Sequence, residues 1–216
     1  MKTFPESWPL PQRRVFPGQF VSLSPLDATR NAAELFAASH GTPEIEAMWD
    51  YLPYGPFFSE NVMREWLISM EKGDDPLFFT VFEQKMRRAV GNLALMTLAP
   101  ECGRAEIGHV WYSPSVQRSK VNTESVFLLL GYLFDELGYR RAEWKCNNRN
   151  EASKKAALRL GFQYEGLFRQ HLIFKGENRD TAWFSMLDSE WPLRKANFQR
   201  WLYEDDSVSL SELNAP

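Results

Sequence analysis

Residues 117–123 read Gln-Arg-Ser-Lys-Val-Asn-Thr, between an apolar segment ending at Tyr112 and a leucine-rich segment beginning near Val126. A turn of this composition at a helix entrance can hold an anion. The first N–H groups of a helix have no partner within it, and the helix dipole adds positive potential there. Arg118 and Lys120 supply two cations, and Ser119, Asn122 and Thr123 supply further donors. Phosphate-holding turns usually contain glycine, whose backbone approaches a ligand closely and adopts positive φ. This turn has none. A solvated basic loop would have the same composition, so the turn alone does not decide. No Gly-x-Ser-x-Gly elbow, Walker loop, Gly-x-Gly-x-x-Gly turn or zinc spacing accompanies it, which leaves hydrolase, NTPase, dehydrogenase and metal readings without support.

The composition narrows the setting. A chain of 216 residues with 44% hydrophobic and 14% aromatic content has material for one packed domain with appended ends. Its formal net charge of -3 argues against a non-specific nucleic-acid binder, which rests on excess positive charge. Cys102 and Cys146 cannot build a disulfide framework. The longest apolar run, 127–134, is far short of the roughly 20 residues that span a bilayer. Prolines and aromatics interrupt the first sixteen residues where a signal peptide would be continuously apolar. The expectation is a cytoplasmic protein with neither membrane nor nucleic-acid partners.

The turn must be positioned by its neighbours. Pro5, Pro9, Pro11 and Pro17 predict an extended segment over 1–19. Alternation predicts strands at 20–23, 77–83, 89–99, 104–112 and 141–146, and two more over the last third of the chain around the turn Lys-Gly-Glu-Asn. Asp27 and Ser59 are helix caps by type, and Gly73 ends the second helix. Thr123 is expected to cap a third helix bearing Val126, Leu129, Leu130, Leu133 and Leu137, with Gly138 as its stop. A fourth helix spans 150–160. A last one follows Asp188 or Ser189, and 204–216 should fray. This order predicts an α+β fold of three layers: a mixed, mostly antiparallel sheet with helices on both faces and a parallel crossover over 104–146. The divisions are an extended segment at 1–19, a domain at 20–188, and a helix with tail at 189–216.

The run Lys145-Cys146, Asn150, Ser153, Gly161-Phe162 and Glu165-Gly166, with the upstream Glu-Ile-Gly at 106–108, Trp111 or Tyr112 and the 117–122 turn, resembles the GNAT N-acetyltransferases. Within them it is similar to the RimJ/RimL branch, which acetylates N-termini of ribosomal proteins. The resemblance implies the GNAT acyl-CoA acyltransferase fold and acetyl-CoA as cosubstrate, with no metal. It implies a pantetheine slot between diverging strands at 106–112 and 142–146, with a free N–H near Val110, Trp111 or Tyr112 facing the thioester carbonyl. Gln117, Arg118, Ser119, Lys120, Val121, Asn122 and Thr123 would hold the pyrophosphate, and Asn150 and Cys146 would lie beside the cofactor. Where the branch has glycine and a small residue, this chain has Lys120 and Asn122. Side-chain cations replacing bare backbone is one outcome, since charge-assisted bonds to phosphate are strong; loss of binding is the other. Lys154, Lys155 and Arg159 extend the basic surface.

By position, Ser153 corresponds to the branch's proton donor toward the departing thiolate, although a serine in a first helical turn often only caps. Glu106 is the first candidate for a base, and it is equally suited to a cross-strand ion pair. His171 and Asp180 are further candidates, and His109 reads as a packed histidine. Deprotonating a lysine ε-amine at neutral pH costs about 4.6 kcal/mol, against about 1.2 for an α-amine. Without an unmistakable base the sequence leans toward a low-pKa amine acceptor. The rival reading is a non-catalytic protein of the same fold that binds CoA or a protein partner. The segment 46–57 is placed to cover the acceptor site, and the aromatic C-terminal helix offers a homodimer contact.

Overall fold

Alternate residues of Leu77–Glu83 (β3) enter two different cores: Leu77, Phe79 and Val81 one, Phe78 the other. That alternation is what a strand buried on both faces requires. The architecture comes from a computed structural model, which describes residues 4–215. β3 lies in an eight-stranded sheet with β1 (Phe16–Pro17), β2 (Val21–Pro25), β4 (Arg88–Ala99), β5 (Arg104–Tyr112), β6 (Arg141–Asn147), β7 (Gln163–Phe174) and β8 (Glu177–Leu187). The spatial order is β1-β2-β3-β4-β5-β6-β8-β7. All neighbours are antiparallel except β5 and β6. Those two are joined through α4 (Lys120–Gly131), the crossover that parallel strands need.

On one face, α1 (Ala28–Ser39), the 3₁₀ turn that follows the short α2 (Pro43–Glu46), and α3 (Glu60–Glu71) cover Phe78, Ala94 and Trp111 with Ala32, Leu35, Trp49, Met63 and Leu67. The other face carries α4, α5 (Glu151–Arg159), α6 (Trp191–Gln199) and α7 (Leu210–Leu213), through Val126, Leu129, Ala157, Phe198 and Leu210. The α+β sheet with helices on both faces is therefore present as expected. Asp27, Ser59 and Asn150 accept N–H bonds from Arg30, Val62 and Ser153, the capping their types predict. Gly138 takes φ +67 just beyond Leu137, where a residue with a Cβ would be strained. No helix among the described residues is long and apolar enough to cross a membrane.

Three expectations need correction. The cap of α4 is Ser119, not Thr123: Ser119 has extended backbone and its hydroxyl accepts from the Val121 N–H at 3.2 Å. Thr123 lies inside the helix, fully buried, and its hydroxyl accepts from Arg159 at 2.6 Å. The last segment does not fray throughout, because Ser209 and Glu212 form a reciprocal capping box and Leu210 is buried. The helix after β8 is capped by neither Asp188 nor Ser189: it starts at Trp191, and Glu190 holds the cap position without a side-chain cap bond. Ahead of Tyr51, Thr42 caps α2, and a 3₁₀ turn over Ala47–Trp49 drives Trp49 into the core.

Glu124 ties distant parts of the chain together. Its carboxylate, fully buried, accepts from the N–H groups of Gln19, Phe20 and Val21 at 2.8, 2.6 and 2.7 Å and from the Tyr203 hydroxyl at 2.8 Å. Gly18 lets the chain pass, since a Cβ there would lie 2.6 Å from a Glu124 carboxylate oxygen. Removing a hydrogen-bonded buried carboxylate strands its donors, and each stranded donor costs on the order of 1–3 kcal/mol. Glu124→Ala is therefore expected to lower the unfolding free energy by about 3 kcal/mol or more in urea titrations. Tyr203→Phe should lose about 1 kcal/mol.

Candidate active site

The register of β5 and β6 stops early. Arg104, Ala105 and Glu106 face Arg141, Ala142 and Glu143, and beyond that rung no pair forms. The strands part there, and a cleft of about 370 Å³ opens between them, lined among others by Glu106, Val110, Trp144, Cys146, Ser153 and Trp183. Across β5, the pairs Ala94↔Gly108 and Asn92↔Trp111 bracket an extra residue on the β5 side. This bulge puts His109 at φ +52 and takes one residue of β5 out of the ladder. At its far end Gly91 lets the strands close, since a Cβ there would lie 2.3 Å from the Trp111 carbonyl oxygen.

Two buried carboxylates face each other at the last paired rung. Like charges in that position repel, and Lys145 resolves it. Its ammonium lies 2.9 Å from both Glu106 and Glu143 and 4.0 Å from the centre of the Trp183 ring. Arg141, at 2.8 Å, also serves Glu143. Glu106 accepts a bond from Thr97 at 3.1 Å. Burial nevertheless raises its pKa, against the opposing pull of Lys145 and Thr97. Burial acts the same way on Glu143, but Arg141 and Lys145 outweigh it and hold that carboxyl below its usual range.

Ser153 stands on the other wall. Its N–H is fixed by the Asn150 cap at 3.0 Å, and its hydroxyl oxygen accepts from the Trp144 indole N–H at 3.0 Å. That leaves the Ser153 proton free to donate. Cys146 is beside it, and Ser153 hydrogen bonding eases the upward push that burial exerts on the thiol's pKa. The thiol accordingly stays protonated at neutral pH and is no nucleophile. The sequence-derived pair Glu106 and Ser153 thus shares one cleft with Val110, Cys146 and Asn150, and Met48, Tyr51, Leu52 and Pro53 cover part of it. Trp111 turns its side chain into the other core, and Tyr112 packs against the α4 side.

His171 lines the cleft with Nδ1 3.0 Å from the Thr181 hydroxyl. Asp180 does not line it; its carboxylate accepts from the Gln170 N–H at 2.7 Å and from Asn178. His109 packs against Phe78 and pairs with the Tyr54 hydroxyl at 3.1 Å. No group of His, Cys, Asp and Glu among the described residues is arranged to hold a metal ion.

The turn at 117–123 does not behave as its composition suggested. Its left-handed residue is Arg118, at φ +60, whereas Lys120 is the first residue of α4. The Lys120 ammonium points back to the Leu202 carbonyl at 2.9 Å and to Asp206 at 3.2 Å, near the Phe20 and Trp201 rings. Arg118 is exposed and has no ion pair among the described residues. The N–H groups of Arg118, Ser119 and Lys120 also have no protein acceptor among them. Gln117 closes a 3₁₀ turn onto Pro114, Val121 is buried, and the Asn122 side-chain oxygen is buried without a partner. Free amides plus Arg118 leave the turn positively polarised, now without the lysine.

Residues 21–163 match the Acetyltransferase (GNAT) domain. The chain belongs to the GNAT acetyltransferase family. A crystal structure of a GCN5-related N-acetyltransferase from Brucella melitensis shares 42% identity over 97% of each chain, with a TM-score of 0.93. Among curated relatives, the uncharacterized N-acetyltransferase YoaA of Bacillus subtilis is 32% identical over 101 residues, 47% of this chain and 56% of that one. The putative ribosomal N-acetyltransferase YdaF of the same species is 31% identical over 101 residues, 47% and 55% of the two chains. The matched stretch thus covers little more than half of YoaA and YdaF. In this acetyltransferase domain the cleft, the bulge and the anion turn fall within the matched residues.

Burial, reinforced by Arg179, lowers the His109 pKa to about 4. The unfolded chain, with an ordinary histidine near 6.5, therefore binds more protons than the native state between those values, so stability falls as pH drops through that window. Urea unfolding from pH 7 to pH 4 should show this loss, at most about 3 kcal/mol. His109→Gln should flatten that limb of the curve.

Proposed function

We propose that the protein transfers an acetyl group from acetyl-CoA to a primary amine by direct attack on the thioester. The observation that carries this reading is the parting of β5 and β6 beyond the Glu106–Glu143 rung, with Ser153 on one wall and the bulged edge of β5 on the other. In this reading the pyrophosphate lies against the free amides at 118–120 and the Arg118 guanidinium. The pantetheine arm enters the cleft past Asn150 and Cys146. Unpaired N–H groups of β5 near Val110 to Tyr112 face the carbonyl oxygen, where charge develops as the amine attacks. As the C–S bond breaks, Ser153 donates its proton to the departing sulfur. Glu106 takes the proton leaving the amine, directly or through water; a carboxyl raised by burial is a better base than an ordinary one. The protonated Cys146 argues against an acyl-enzyme route. Relatedness to YdaF favours protein N-termini among the acceptors.

Thiol release from acetyl-CoA should depend on an added amine, and Ser153→Ala should lower kcat by about 10²-fold. Unchanged turnover in that variant would remove Ser153 from the mechanism. Saturating acetyl-CoA should raise the melting temperature, the equivalent of about 2.7 kcal/mol at a hundred times its Kd. Arg118→Gly separates two roles of the turn. It should stabilise the unliganded protein by about 1 kcal/mol, through relief of the left-handed backbone, while shrinking the acetyl-CoA-induced rise.

A further inference from the structure

Arg179, near the start of β8, lines the cleft and is half-buried. Its Nε donates to the Thr181 hydroxyl at 3.2 Å, and its guanidinium sits 4.5 Å from the centre of the Phe174 ring. Both contacts fix the fork and leave its two terminal nitrogens to point elsewhere. Of the ammonium, guanidinium and carboxylate groups lining this cleft, Glu106 and Lys145 pair with each other. Arg179 has no carboxylate within ion-pair distance among the described residues. Burial works against its charge; Cys146 and Glu106 favour that charge only through space, and Glu106 is already engaged by Lys145. A half-buried guanidinium without a counter-charge is costly.

A second hollow of about 350 Å³ adjoins the cleft and shares Tyr51, Asn147, Phe174 and Arg179 with it. Arg149 and Lys175 on its wall, with Arg179, outnumber Asp50 and Glu177. Arg149 leans on Glu177 at 3.5 Å, and Lys175, likewise without an ion pair among the described residues, donates to the Trp49 carbonyl at 2.8 Å; Arg179 is the cation at the junction whose two terminal nitrogens have no protein acceptor among the described residues.

We infer that the acceptor amine carries a carboxylate, which the two free guanidinium nitrogens of Arg179 bind while the amine reaches the thioester side of the cleft. The inference rests on the acyl-transfer reading. A planar carboxylate matches the remaining fork in shape, and its negative charge supplies the counter-charge that Arg179 lacks. The carboxylate is either the acceptor's own α- or ω-carboxyl, as in a free amino acid, or an acidic side chain near a peptide N-terminus. The second hollow has room for the remainder of either.

The test compares matched pairs: ω-amino acids of increasing chain length against their amides, and short peptides with Asp or Asn at the second position. The acid is expected to exceed its amide in kcat/KM by about 10-fold or more in at least one series. Which series shows it identifies the source of the carboxylate. In Arg179→Gln the acid-to-amide ratio should fall to near one, and in Arg179→Lys it should be intermediate, because charge persists without the fork. Quenching of tryptophan fluorescence reads binding independently of turnover, since Trp144 and Trp183 line the cleft. Acid-selective quenching that Arg179→Gln abolishes supports the inference even if no amine is acetylated, a result that would sink only the transfer reading. Equal responses to acid and amide in the unmodified protein overturn it. So does a ratio that survives Arg179→Gln, or an equal loss for acid and amide.

Discussion

The architecture turns on one ammonium group. Glu106 and Glu143 are brought face to face by the parallel register, both nearly excluded from water, and the charge of Lys145 bridging the two makes that rung tolerable. Above the rung the strands separate, and Glu106 and Ser153 both line the opening. The ion cluster thus marks where pairing ends and where a substrate can enter. Arg104 and Arg141 secure the Glu143 side, so the Glu106 side is the one left turned toward the cleft.

Around that opening the side chains are held by second contacts. The Trp144 indole occupies a lone pair of Ser153, and the Asn150 cap fixes the Ser153 backbone, so the hydroxyl keeps its proton to donate, with the Cys146 thiol beside it. At the other end of the slot, the turn that lacks glycine accommodates a left-handed residue all the same, two positions before the residue that stands in for the family's glycine. The left-handed backbone that a glycine would permit is thus present without one. The cationic side chain in its place has been recruited by the C-terminal segment.

Much of the fold was legible because burial on two faces leaves strict alternation in the strands. The strands 77–83 and 104–112 coincide with their sequence reading, and Asp27, Ser59 and Asn150 cap as their types demand. The start of α4 was misplaced because Ser119, Asn122 and Thr123 are all good caps within four residues, and only tertiary contacts choose among them. Trp49 escaped because α2 and the 3₁₀ turn are too short to show a period. Ser153 and Glu106, picked out by resemblance, both line the cleft. The bulge at His109 follows Gly108, and that glycine inside a strand pattern is the one local signal that could have announced it. Arg179 had no local signature, since lacking a counter-charge is a property of the assembled cavity and not of neighbours in the chain.

Glu124 sits one turn into the helix whose entrance carries the free amides and Arg118, and it gathers amides from about a hundred residues upstream and a hydroxyl from about eighty downstream. Contacts so remote in sequence carry the largest closure entropy and form late. The geometry of that entrance is accordingly underwritten by both flanks of the polypeptide at once. Evolutionary tinkering with either flank would displace the helix entrance before it disturbed the parting of β5 and β6.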